Sequence, residues 1–165
     1  MPSRKNVQTT HIESQQIREL HRSLIDIVSL MNRPQRDEQM VKDAGIALDR
    51  ALFPLLVGIE RLGPIGIVEL ADRTGRDYTT VSRQVAKLES LGLAERKQSA
   101  ADRRVNEAVV TSRGKAMTDK IDAARERNAR AIFATWDAHD VSELVRLMRK
   151  FADAVSDEPE NPGSS

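Results

Sequence analysis

The apolar positions fall into helical stripes, interrupted once by two short runs that alternate. Ile17, Leu20, Leu24, Ile27, Val28 and Met31 recur every three or four residues, so they line one face of a helix spanning His11 to Asn32, which Pro34 ends. Leu52, Phe53, Leu55, Leu56, Ile59 and Leu62 mark a second helix. Asp49 is its N-cap, Pro54 kinks it or defines its first turn, and Gly63-Pro64 stops it. Two short helices follow. Ile65, Ile67, Val68, Leu70 and Ala71 carry the first, closed by Gly75; Val81, Val85 and Leu88 carry the second, capped by Asp77 and ended by Gly92. Leu93 to Lys97 and Val105 to Val110 alternate moderately and read as two strands around a polar, basic turn.

The last third reads as a long helix and a shorter one. Met117, Ile121, Ala124, Ala131 and Ile132 form a narrow stripe broken by Asn128. Val141, Leu144, Val145, Met148, Phe151, Ala152 and Val155 form the last stripe, with Asp140 and Glu143 at capping-box spacing before it. Residues 1–10 and 157–165 are polar and are expected to be disordered tails.

A helix, a tight turn, a helix and a two-stranded ribbon with a basic tip is the order of a winged helix-turn-helix. Such a unit places its second helix in the major groove and its ribbon tip on a neighbouring minor groove or the backbone. At about 100° per residue, a helix that buries Val81, Val85 and Leu88 points Thr79 and Arg83 away from the core. Thr80 and Lys87 lie near them and Ser82 lies on the flank. Small hydroxyls and long cations suit base edges and phosphates. A lone helix with two cations is more often a solvated face, and the adjacent arginines of the ribbon tip, Ser99 to Arg104, are weak evidence alone. The three elements in order outweigh that bland account. Asp102, two residues before Arg104, can hold its guanidinium ready for a narrow groove.

Composition sharpens this picture. The 165 residues are 39% hydrophobic and 31% charged, enough for one domain with an elaboration, and no run of 18 apolar residues suggests a membrane span. The net charge is only +1, yet Arg73 to Arg104 holds eight basic and four acidic residues, so this segment is +4 and the rest −3. That concentration favours a defined polyanion contact. Aromatics at 3% argue against stacking platforms for single strands. Zero cysteine excludes disulfides, cysteine-bound metals and thiol redox sensing. His11, His21 and His139 lack metal-ligand spacing; Glu13 and Asp26 form no acid–base pair; Gly63, Gly66 and Gly75 punctuate helices instead of cradling phosphate. Met31, Met117 and Met148 fill helical stripes. No enzyme, cofactor or metal site emerges.

From Leu48 to Met117 the chain resembles the MarR family of transcriptional regulators. The resemblance rests on Val68-Glu69-Leu70-Ala71, Thr79-Thr80-Val81-Ser82-Arg83, Leu88-Glu89 with Leu91-Gly92-Leu93, Asp102-Arg103-Arg104, and Thr111 followed by Gly114. It implies a mainly α fold with a small β-wing: a winged helix-turn-helix (45–111) between an N-terminal dimerisation helix (11–44) and C-terminal dimerisation helices (112–156). It further implies a homodimer on a pseudo-palindromic duplex, usually a repressor and often released by a small ligand; the lack of a membrane span makes a cytoplasmic location the expectation. Thr79, Thr80, Ser82 and Arg83, with Lys87 beside them, would contact the major groove. Arg104, supported by Asp102, would probe the minor groove, with Arg103 on the backbone or solvated. A protein-interaction adaptor built on the same fold remains the competing reading.

Overall fold

The computed structural model describes residues 4–157, with side chains from residue 14. Its elements are α1 (Arg4–Met31), α2 (Pro34–Ala44), α3 (Phe53–Leu62), β1 (Ile65–Gly66), α4 (Ile67–Thr74), α5 (Tyr78–Ser90), β2 (Ala94–Gln98), β3 (Asn106–Val110), α6 (Ser112–Ile132) and α7 (Ala138–Ser156). The fold is therefore mainly helical with a small wing. The strands form one antiparallel sheet in the order β1-β3-β2, in which Arg96 pairs with Ala108 and Ile65 with the same residue from the other side.

Several boundaries differ from the sequence expectation. Helix α1 starts at Arg4, ahead of His11, because no Gly or Pro lies between them to stop it. Residues 1–3 and 158–165 of the expected tails, and the side chains of His11 and Glu13, lie outside the described residues. Pro34 ends α1 and at once opens α2, where its fixed φ suits a first turn. Gly45, at φ 63°, closes α2. Asp49 caps a turn and not α3: its carboxylate accepts the Ala51 N–H at 2.7 Å, and Leu52 precedes the helix. Ile65, expected to be helical, pairs in β1. Asp137, not Asp140, caps α7, accepting the His139 N–H at 2.8 Å, while Glu143 accepts two bonds from Arg146.

The chain divides into two compact units, one ending at Ala124 and one starting at Arg125. In the first, Leu55, Leu56 and Ile59 of α3, Leu70 of α4, and Val81, Val85 and Leu88 of α5 pack with Ile65, Leu93, Ala94, Ala108 and Ile121 in one core. Each fully buried aliphatic side chain contributes about 1.5–3 kcal/mol, which makes this the main determinant of the unit. The start of α6 is tied to the end of α5. The Thr111 hydroxyl donates to the Gly92 carbonyl at 2.6 Å and accepts the Gly114 N–H at 3.0 Å, while the Thr111 N–H donates to the Leu93 carbonyl at 3.1 Å. Gly114 lies so close to Leu93 that a Cβ there would sit 2.0 Å from its carbonyl oxygen. The Thr-x-x-Gly motif is thus a close-packed junction.

In the second unit, Phe133 and Trp136 meet edge to face at 5.1 Å. Helix α7 has no buried residue, and Val145, Leu147, Met148 and Val155 are exposed. In the first unit, α1 likewise exposes Ile17, Ile25, Val28 and Met31. No helix among the described residues is long and apolar enough to cross a membrane.

Candidate nucleic-acid interface

The second helix of the helix-turn-helix is positioned by its caps. Gly75, at φ 62°, donates its N–H to the α4 carbonyls of Ala71 and Asp72, which turns the chain sharply into Asp77. Asp77 then caps α5. Its carboxylate accepts the Thr80 N–H at 2.9 Å and the Thr80 hydroxyl at 2.6 Å. The Thr80 hydroxyl, then its amide, hold the Asp77 carboxyl below the usual carboxylate range, and the Arg83 charge adds to this. Upstream, the Arg76 guanidinium donates to the Ala51 carbonyl at 2.7 Å and to Gln84 Oε1 at 2.8 Å, tying the turn before α3 to α5.

The expected contact residues divide accordingly. Thr79, Arg83 and Lys87 are exposed on α5. Arg83 and Lys87 border a shallow cleft of about 360 Å3 with Asp49, Ala51, Thr80 and Gln84. Thr80 is half-buried and its hydroxyl proton is committed to Asp77. Ser82 is also half-buried, and its carbonyl and hydroxyl accept from the Arg96 guanidinium on β2. The outward face of α5 is therefore narrower than five residues.

The wing is organised from its base. Ser99 is buried, and its hydroxyl accepts the N–H groups of Ala101 and Asp102 at 3.2 and 3.4 Å. Ser99 N–H donates to the Val105 carbonyl at 2.9 Å and Val105 N–H to the Asp102 carbonyl at 3.0 Å, which closes the loop. Asp102 accepts the Arg104 N–H at 3.0 Å and stands 3.5 Å from Arg104 Nε. The Arg104 side chain is nonetheless 93% exposed, and Arg103 is exposed beside it. Asp102 and Arg104 thus stand at ion-pair distance, as their spacing allows.

Two functional candidates escaped the sequence reading. Ser99 carries no pattern signal beyond its place at a strand end. Arg96 had one: it shares a strand face with buried Ala94, so its cation needs an acceptor on α5.

These features define a winged helix-turn-helix protein. Comparison with known proteins gives the same class and narrows it. A family model described as HVO_A0114 matches residues 48–108. An HTH-type transcriptional regulator of Bacillus subtilis (strain 168), YxaD, is 26% identical over 132 residues, covering 80% of this chain and 92% of its own. A MarR family protein from Bacillus stearothermophilus superposes with a TM-score of 0.68 at 17% identity, covering 87% of this chain and 97% of its own. The crystal structure of MarR superposes at 0.63 with 24% identity, covering 82% and 90%. The chain has the fold of the MarR family of transcriptional regulators, as its motifs implied.

Proposed function

We propose that this chain is a sequence-specific regulator of transcription that binds double-stranded DNA as a homodimer and acts as a repressor in the cytoplasm. One observation carries the reading: a capped helix presents Thr79, Arg83 and Lys87 outward, while the wing extends Arg104 almost wholly into solvent. Arg83 fits a guanine edge, Thr79 and Lys87 fit phosphates or base edges, and Arg104 fits a minor groove. Thr80 and Ser82 act on this reading by holding the helix, and Arg103 meets the backbone. The similarity to regulators of transcription supports the same function. The exposed apolar stripes of α1 and α7 are the surfaces a second copy would cover. The family resemblance adds release of DNA by a small ligand.

The test is selection of bound duplexes from a random-sequence pool, followed by titration of the recovered duplex. Half-sites should recur about one helical turn, ~34–36 Å, apart. Arg83→Ala and Arg104→Ala should each weaken specific binding by about 1–3 kcal/mol. Recovery of no duplex at low salt, together with a monomeric mass by light scattering, would instead favour a protein-interaction adaptor.

A further inference from the structure

The two parts that would read DNA, α5 and the wing tip, lie on different elements. The core joins them through Val85, Leu88, Leu93 and Ala94, but apolar contact is non-directional. One polar side chain adds direction. Arg96, in the middle of β2, donates its guanidinium Nη2 to the Ser82 carbonyl and, at 3.2 Å, to the Ser82 hydroxyl. Its backbone N–H donates to Glu89 Oε1 at 3.0 Å, and its Nε lies 3.5 Å from Glu89 Oε2. Strand and helix are thus pinned at two points, one on each side of the buried Val85. Ser82 adjoins Arg83, and β2 runs directly into the wing loop.

We propose that Arg96 is a positioning residue that locks α5 and the wing into a single rigid reader, so that Arg83 and Arg104 engage one duplex together. This rests on the DNA-binding reading above. The Arg96 side chain is 31% exposed against 93% for Arg104, and its Nε is buried without a hydrogen-bond partner. A guanidinium that reaches for phosphate has no reason to accept that desolvation. A planar guanidinium that spans Ser82 and Glu89, and so fixes an angle, does.

The experiment is a double-mutant cycle on the duplex that the unmodified chain recovers from a random pool. Arg104→Ala should weaken binding about tenfold in the unmodified chain. In the Arg96→Ala background the same change should cost less than about threefold, because a wing no longer held to α5 contributes little beyond its charge. Arg96→Lys keeps the charge and loses the planar span from Ser82 to Glu89, so it should behave like Arg96→Ala in the cycle. Glu89→Gln keeps the acceptor for the Arg96 N–H and gives a second, milder disruption should Arg96→Ala fold poorly; there the Arg104→Ala loss should be intermediate. A full Arg104→Ala loss in all three backgrounds overturns the lock while leaving DNA binding intact. So does complete rescue by Arg96→Lys, which would make Arg96 a plain phosphate contact. Failure to recover any duplex overturns the DNA-binding reading, and the lock with it.

Discussion

Gly114→Ala puts the junction between the winged unit and α6 to a test of sign. On helix propensity alone, alanine should stabilise α6 by up to about 1 kcal/mol. The structure requires the opposite. A Cβ on residue 114 would meet the Leu93 carbonyl oxygen at 2.0 Å and Val110 Cγ2 at 2.8 Å. Ordinary contact needs more than ~1 Å of extra separation from the oxygen, and that oxygen belongs to backbone. Moving it strains the Thr111 N–H bond to Leu93, and moving α6 strains the Thr111 hydroxyl bond to Gly92. Overpacking of this kind costs about 1–3 kcal/mol, and each weakened hydrogen bond adds about 0.5–1.5 kcal/mol. Set against the propensity gain, the net loss should be about 1–3 kcal/mol.

At about 2–4 °C per kcal/mol for a chain of this size, the Tm should fall by about 2–12 °C. Urea unfolding and calorimetry should be run at one fixed protein concentration, since the stability of an oligomer depends on it. A Gly114→Ala chain as stable as the parent, or more so, would show that α6 can rise off Leu93 without loss and would refute the close-packed junction.

Other predictions follow from the same geometry. The depressed Asp77 carboxyl contributes stability that is present above its unfolded value of ~3.9 and is lost as pH falls through the lower folded value. Asp77→Asn keeps a capping oxygen that does not titrate, so the parent Tm should drop more steeply than the variant's as pH falls below about 4; parallel curves count against the cap. Val145→Asp places a charge in the exposed stripe of α7 and, on the proposed homodimer, should shift the mass by light scattering from dimer towards monomer. An unchanged dimer places the second copy elsewhere. Arg103→Ala, as a backbone contact, should weaken all duplexes alike and reduce the slope of log K against log salt by about 1 for each wing engaged; a loss confined to one sequence would assign it a base.

Much of this arrangement was legible because apolar stripes and punctuating residues act locally. Helices α3, α4 and α5 follow their buried positions, Gly75 and Asp77 sit where their backbone chemistry is needed, and the two long strands fall within a residue or so of their alternation. The errors have physical sources. Helix α2 has only Met40, Val41 and Ala44 to pack against the core, too few for a stripe. Strand β1 is two residues long, and its pairing with β3 is non-local. In the candidate site, angular position gave the direction of each Cβ but not its commitments. A hydroxyl reaches one bond from its Cβ, so Thr80 is taken by the adjacent cap and Ser82 by an arginine from another element. Arg83 and Lys87, with long stems, escape such capture.

The local charge of +4 is therefore a poor measure of the surface proposed to meet DNA. Of the eight basic residues from Arg73 to Arg104, Arg73 pairs with Glu69 at 3.0 Å, Lys97 with Glu95 at 3.7 Å, Arg76 ties α5 to the turn before α3, and Arg96 ties α5 to β2. Arg83, Lys87 and Arg103 hold no ion pair among the described residues, and Arg104 meets Asp102 without giving up its exposure. The four cations that remain lie on the outer face of one helix and at the tip of one wing. Half of the positive charge builds or decorates the scaffold and half stays outward, available to a polyanion. A nearly neutral chain with its outward cations placed in this way should gain little from non-specific attraction and much from a duplex whose two grooves match the helix and wing together.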